Sequence, residues 1–137
     1  MATVRLATLK DIPALTQLDE WPSELMWQQK ITAQEVLVLE SPHIIGLVRF
    51  TRLWTTVPFM GLVFIESNHR GKGYSRLLLN ALITHLKKSG ALALLSSSQT
   101  DEPQAQAWHV HMGFHSNGII ENIAEDNVGE IVYRLEL

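Results

Sequence analysis

Cysteine is absent from the 137 residues, which excludes disulfides, a cysteine-ligated zinc and a cysteine nucleophile. The absence fits a reducing compartment. Excess charge of one sign is also lacking: 11 Lys and Arg against 14 Asp and Glu give a net charge of −3. That is too small, and of the wrong sign, for general nucleic-acid binding. Any affinity for an anion must therefore come from a local arrangement. No apolar run approaches the roughly 20 residues that a membrane span needs. Residues 1–5 open directly into an alternating pattern, without the charged region and apolar run of a signal peptide. The expectation is a cytoplasmic protein with no membrane and no nucleic-acid partner.

What remains is an ordinary globular composition, with 46% hydrophobic and 18% charged residues. The length argues for a single domain over residues 1–137. Chains of about 150 residues bury roughly 70% of their unfolded surface, so one core is feasible.

Residues 4–7 alternate as a strand does. Thr8 then stands as a helix cap, with Asp11 in the capping-box position, and Ile12, Leu15 and Leu18 follow at helical spacing. Ser23 caps a second short helix that reaches about Lys30. Residues 35–39 and 44–51 read as a hairpin around the turn 40–43, and 58–65 as a further strand. Gly61 inside that strand signals a bulge or a close approach. The clearest helix spans 73–88, where Tyr74, Leu77, Leu78, Ala81, Leu82 and Leu86 recur at intervals of three and four. A short apolar strand over 91–95 follows, then a helix from Pro103 to about Met112 that stops at Gly113. Two strands, 115–120 and 130–136, flank an acidic and polar loop over 121–129. The order β, α, α, β, β, β, α, β, α, β, β describes an α/β fold with a mixed sheet.

The most informative stretch joins the strand ending at Ile65 to the helix starting near Gly73. Between them lie a polar turn and Arg70-Gly71-Lys72-Gly73-Tyr74-Ser75. The first turn of a helix presents amide groups without intrahelical partners, and the dipole adds about half a positive charge there. Glycines 71 and 73 remove Cβ atoms that would hold a phosphate away, so a diphosphate can sit on the amides of residues 71–76. Arg70, Lys72 and Arg76 add positive charge. A P-loop is excluded because Gly73 follows Lys72, and a dinucleotide fingerprint because Arg76 stands at its third glycine.

This segment resembles the signature of the GNAT N-acetyltransferases, Gln/Arg-x-x-Gly-x-Gly/Ala between the fourth strand and the next helix, with Ser75 in place of the final small residue. A second match lies in the last helix, where Trp108-His109 precedes Gly113-Phe114 as an aromatic pair precedes Gly-Phe in that family. The element order agrees over nearly the whole chain. The resemblance implies a GNAT-like, mostly antiparallel central sheet flanked by helices, with a V-shaped splay between strands 4 and 5. It implies acetyl-CoA as co-substrate, its pantetheine arm pairing with the backbone of Val63, Phe64 and Ile65. It implies an acceptor that is a small-molecule amine or a peptide amine. With no cysteine available, transfer would be direct. Two departures stand out: His109 where many members carry Tyr, and Glu102 where many carry Asn.

Direct transfer needs a base for the amine, a donor for the carbonyl oxygen and an acid for the leaving thiolate. His109 is the candidate acid, since imidazole titrates near neutral pH. Glu66, at the end of the fourth strand, is the candidate base. Asp19, Glu20 and Glu24, around Trp21 and Trp27, could bind a cationic acceptor. His109, His111 and His115 do not suggest a metal, because residues two apart on a helix do not face each other. The alternative function is an acyl-CoA-binding sensor or scaffold without catalysis. The C-terminal strands could pair across a homodimer.

Overall fold

The computed structural model describes residues 1–123 and 127–137. Of the polar loop expected over 121–129, residues 124–126 lie outside the described residues. Strand β1 (Thr3–Leu6) leads through a 3-10 turn (Leu9–Asp11) into α1 (Ile12–Leu18) and α2 (Glu24–Thr32). Strands β2 (Val36–Glu40), β3 (Ile44–Leu53) and β4 (Val57–Ile65) follow. A second 3-10 turn (Ser67–His69) precedes α3 (Tyr74–Lys88), and β5 (Ala93–Gln99), α4 (Pro103–His111), β6 (His115–Ile120) and β7 (Glu130–Glu136) complete the chain. The strands hydrogen-bond in the order β1-β2-β3-β4-β5-β7-β6. The fold is mixed α/β with mostly antiparallel pairing, and β4 and β5 run parallel.

Internal contacts divide the chain into two compact units that share β4. The first comprises Met1–Thr51 and Gly61–His85. Its core gathers Leu15, Trp27, Ile31, Val36, Val38 and Leu47, with Leu62 and Phe64 of β4 packed against them. The uninterrupted apolar run Val36–Leu39 is buried throughout, as strands covered on both faces are. Local signals set the helices. The Ser23 side chain accepts from the Met26 amide at 3.2 Å, and the Thr8 amide donates to Asp11 Oδ2 at 2.7 Å. Arg5 holds the Asp11 carboxylate at 2.7 Å and also grips Glu40.

The second unit comprises Arg52–Met60 and Leu86–Leu137. Strand β5 pairs in parallel with β4 through Phe59–Leu95 and Met60–Ser96, and antiparallel with β7 along its whole length. The parallel register ends at Met60. Strand β5 runs four residues beyond the apolar segment that predicts it. Serines 96–98 have poor intrinsic strand preference, yet Ser96 and Ser98 are buried and hydrogen-bonded to side chains of other elements. Tertiary bonds thus extend a strand that local preference would end. At the far edge, all six residues of β6 are exposed.

Candidate active site

The end of β4 is placed by close backbone packing. A Cβ on Gly46 would stand 2.8 Å from Ile65 Cδ1 and 2.9 Å from the Phe64 carbonyl oxygen. Only glycine at position 46 lets β3 approach there. The Glu66 amide donates to the Ile45 carbonyl at 2.8 Å, which continues that contact past the strand. Arg70 then folds back: its Nε donates to the Ile65 carbonyl at 2.8 Å, and its guanidinium lies 5.2 Å from the centre of the Phe64 ring.

The turn into α3 depends on Gly71 and Gly73, whose φ angles are +76° and +81°, values that L side chains rarely adopt. Nothing lies within 4 Å of the place a Cβ would take on either residue. These glycines are required by backbone conformation, and the space in front of them is open. The first bond of α3 runs from the Leu77 amide to the Gly73 carbonyl at 3.2 Å, so the helix opens directly from this turn. Lys72 and Arg76 are exposed beside it, while Tyr74 and Ser75 are half-buried. The structure therefore brings together Val63, Phe64, Ile65 and residues 70–76 in the first unit, as a strand end feeding an open glycine turn at a helix N-terminus.

Glu66 sits between these parts. Its carboxylate is partly exposed and lies 3.4 Å from His69 Nδ1.

His109, in the second unit, is 5% exposed. Its Nδ1 lies 2.7 Å from the Ala105 carbonyl. A carbonyl only accepts, so Nδ1 carries the proton. Nε2 lies 2.7 Å from Ser96 Oγ, and in the neutral ring it accepts from that hydroxyl. The imidazole stacks on Tyr133 with centroids 4.2 Å apart, and Phe114 meets it edge-on at 5.2 Å. Burial pushes its pKa below the ordinary histidine value, and the bond to Ala105 offsets this only in part. The Tyr133 hydroxyl is itself bonded to Ser98 Oγ at 2.8 Å. The geometry thus favours a neutral imidazole in a satisfied polar cluster. Sequence reasoning does not reveal this cluster, because the run Ser96-Ser97-Ser98 carries no apolar-polar alternation and its partners lie far along the chain.

Among the described residues no group of three or more His, Cys, Asp or Glu could hold a metal ion. Among them, too, no helix is long and apolar enough to cross a membrane.

Comparison with known proteins adds an independent line. The sequence model of the acetyltransferase (GNAT) family matches residues 6–114. No curated protein sequence matches significantly. Among solved structures, ribosomal-protein-alanine N-acetyltransferase from Brucella melitensis is similar with a TM-score of 0.85 at 20% identity, covering 98% of this chain and 99% of that one. The putative acetyltransferase yncA from Salmonella typhimurium, solved with its cofactor acetyl-CoA, gives 0.84 at 18% identity, covering 100% and 94%. Ard1 from Thermoplasma volcanium gives 0.84 at 17%, covering 99% and 97%.

Proposed function

Because the chain belongs to the GNAT family of acetyltransferases, we propose that it is an acetyl-CoA-dependent N-acetyltransferase, a single domain over residues 1–137 that acylates a small-molecule or peptide amine by direct transfer. The observation that carries this reading is the pair of left-handed glycines facing open space at the start of α3. A diphosphate fits such a cradle, because the amides of the first turn and the helix dipole both favour an anion. In this reading residues 71–76 hold the diphosphate, and Lys72 and Arg76 supply charge that the chain as a whole lacks. Arg70, tied to Ile65 and Phe64, fixes the entry to the turn. The backbone of Val63, Phe64 and Ile65 pairs with the pantetheine arm.

When bound, acetyl-CoA supplies an acetyl group activated as a thioester. The acceptor nitrogen must lose one proton as its bond to the acyl carbon forms. The departing sulfur keeps the electron pair of the broken bond and gains a proton. Glu66 is the proposed base, supported by its partial exposure at the end of β4. His109 is the proposed acid, with Ser96 as its hydrogen-bond partner, and here the geometry is less favourable. The role requires an imidazolium, which burial opposes. A homodimer through the exposed edge of β6 belongs to the same reading and is checked by light scattering.

The test is calorimetric titration with acetyl-CoA, with ATP and NAD as controls, followed by release of free CoA across a panel of amines. Selective binding that Gly73→Glu abolishes in a folded protein is expected, together with amine-dependent release. Equal binding of ATP, or cofactor affinity that survives Gly73→Glu, would refute the phosphate assignment. Binding without release from any amine would favour an acyl-CoA-binding module.

A further inference from the structure

The side chain of Arg49, on β3, is held more rigidly than a surface arginine needs to be. It is only 14% exposed and its Nε donates to Asp19 Oδ2 at 2.8 Å. Asp19, itself 9% exposed, has its other oxygen on the Trp21 amide at 3.3 Å. The guanidinium carbon lies 5.3 Å from the Trp21 ring centre. Its Nη1 lies 3.1 Å from where a Cβ would project on Gly61 of β4. The glycine that sequence analysis reads as a bulge or close approach is therefore where this guanidinium lies across β4.

Every constraint falls on one side of the group. Nε is committed to Asp19 and one face is covered by Trp21. Among the described residues Nη1 and Nη2 have no hydrogen-bond partner, and neither is a buried unsatisfied atom, so both are open to solvent. A guanidinium oriented through Nε with two free Nη groups offers the fork that binds a carboxylate in bidentate fashion. The fork lies over Gly61, two residues or about 7 Å along the strand from Val63, where the proposed thioester site begins. Trp21 and Leu25 are exposed at 71% and 61% and offer apolar surface for the body of a small acceptor.

We propose that Arg49 is the specificity-determining residue of the acceptor site, binding a carboxylate on a small amine acceptor of the amino-acid type. The inference rests on the N-acetyltransferase reading given above. Asp19 and Trp21 are positioning residues that keep the fork in place. A neutral amine lacking the carboxylate would leave the Nη groups solvated and gain nothing from them.

The experiment measures CoA release with a panel of amino acids, including ω-amino acids, each beside its carboxamide, which keeps shape and removes charge. Acetyl-CoA affinity is measured on the same samples. Wild type is expected to favour acids over amides by about ten- to a hundredfold in kcat/KM, the scale of a hydrogen-bonded charge pair. Arg49→Gln should erase that ratio while leaving acetyl-CoA affinity intact. Because Arg49→Gln strands the Asp19 carboxylate, Arg49→Lys serves as the second variant. It keeps the charge beside Asp19 and loses the fork, so the ratio should fall toward one in a folded protein. A ratio near one in wild type, a ratio unchanged in Arg49→Lys, or acetyl-CoA binding with turnover only of amines lacking a carboxylate would overturn the proposal. Failure to bind acetyl-CoA at all would refute the underlying reading instead.

Discussion

Gly46→Ala tests how the end of β4 is placed. The residue is not at positive φ, so alanine carries no backbone penalty there, and the substitution alone would stabilise by about 0.4–1 kcal/mol through the unfolded chain. Packing reverses the sign. The new methyl would lie 2.8 Å from Ile65 Cδ1 and 2.9 Å from the Phe64 carbonyl oxygen, well inside the usual 3.5–4.0 Å between carbon atoms. The tip of Ile65 can turn away. The Phe64 oxygen cannot, since it belongs to a backbone held to β3 by the Glu66–Ile45 bond and to the following turn by the Arg70–Ile65 bond, at 2.8 Å each. Overpacking of this kind costs about 1–3 kcal/mol, which at about 4 °C per kcal/mol for a chain of this size lowers the Tm by roughly 4–12 °C. The shift in β4 should also weaken acetyl-CoA binding, because Phe64 and Ile65 are the residues displaced and are proposed to pair with the pantetheine arm. Thermal melts followed by calorimetry measure both effects. A Tm and a Kd equal to wild type would show that β3 does not set the position of this strand.

Three further outcomes are expected. Gly71→Ala places a side chain at a φ of +76° in open space; the left-handed conformation alone costs about 1–2 kcal/mol, so the loop should relax and acetyl-CoA Kd should rise without a steric clash, and an unchanged Kd would refute the strained-turn account. Burial holds the His109 pKa below its ordinary value of 6.5, so the unfolded chain takes up this proton first: stability is full above pH 6.5 and declines as pH falls toward the folded pKa, by up to about 1.4 kcal/mol per pH unit. Urea midpoints at pH 5 and 7.5 should differ less in His109→Gln, and equal pH dependence in the two proteins would sink this. Tyr133→Phe removes the partner of buried Ser98 and should cost about 1–3 kcal/mol in denaturant unfolding, whereas a neutral result would mean that Ser98 rebonds elsewhere.

Much of the fold is legible in the sequence, because the patterns that specify it are local. The three- and four-residue spacing of leucines in α3, the Ser23 cap and the run at 36–39 each settle an element without reference to the rest. The backbone of the turn before α3 is legible for the same reason, since two glycines before a helix fix a backbone shape by themselves. Contacts between distant residues are not legible. Ser96 and Ser98 look like the start of a loop until His109 and Tyr133 are placed against them. His109 reads in the sequence as a candidate acid, yet its surroundings satisfy both nitrogens. Arg49 looks like one more strand cation, and only the fold brings Asp19 and Gly61 to it.

The bond from Arg70 to Ile65, with the Phe64 ring beneath the guanidinium, has a thermodynamic consequence. A glycine-containing loop normally surrenders much conformational freedom when a ligand arrives, and that loss is subtracted from the affinity. Here the loop's first residue is already clamped to the strand before any ligand enters, so part of the ordering is completed during folding. Cutting the clamp should therefore show itself mainly as a more unfavourable entropy of association, with the number of ligand contacts unchanged.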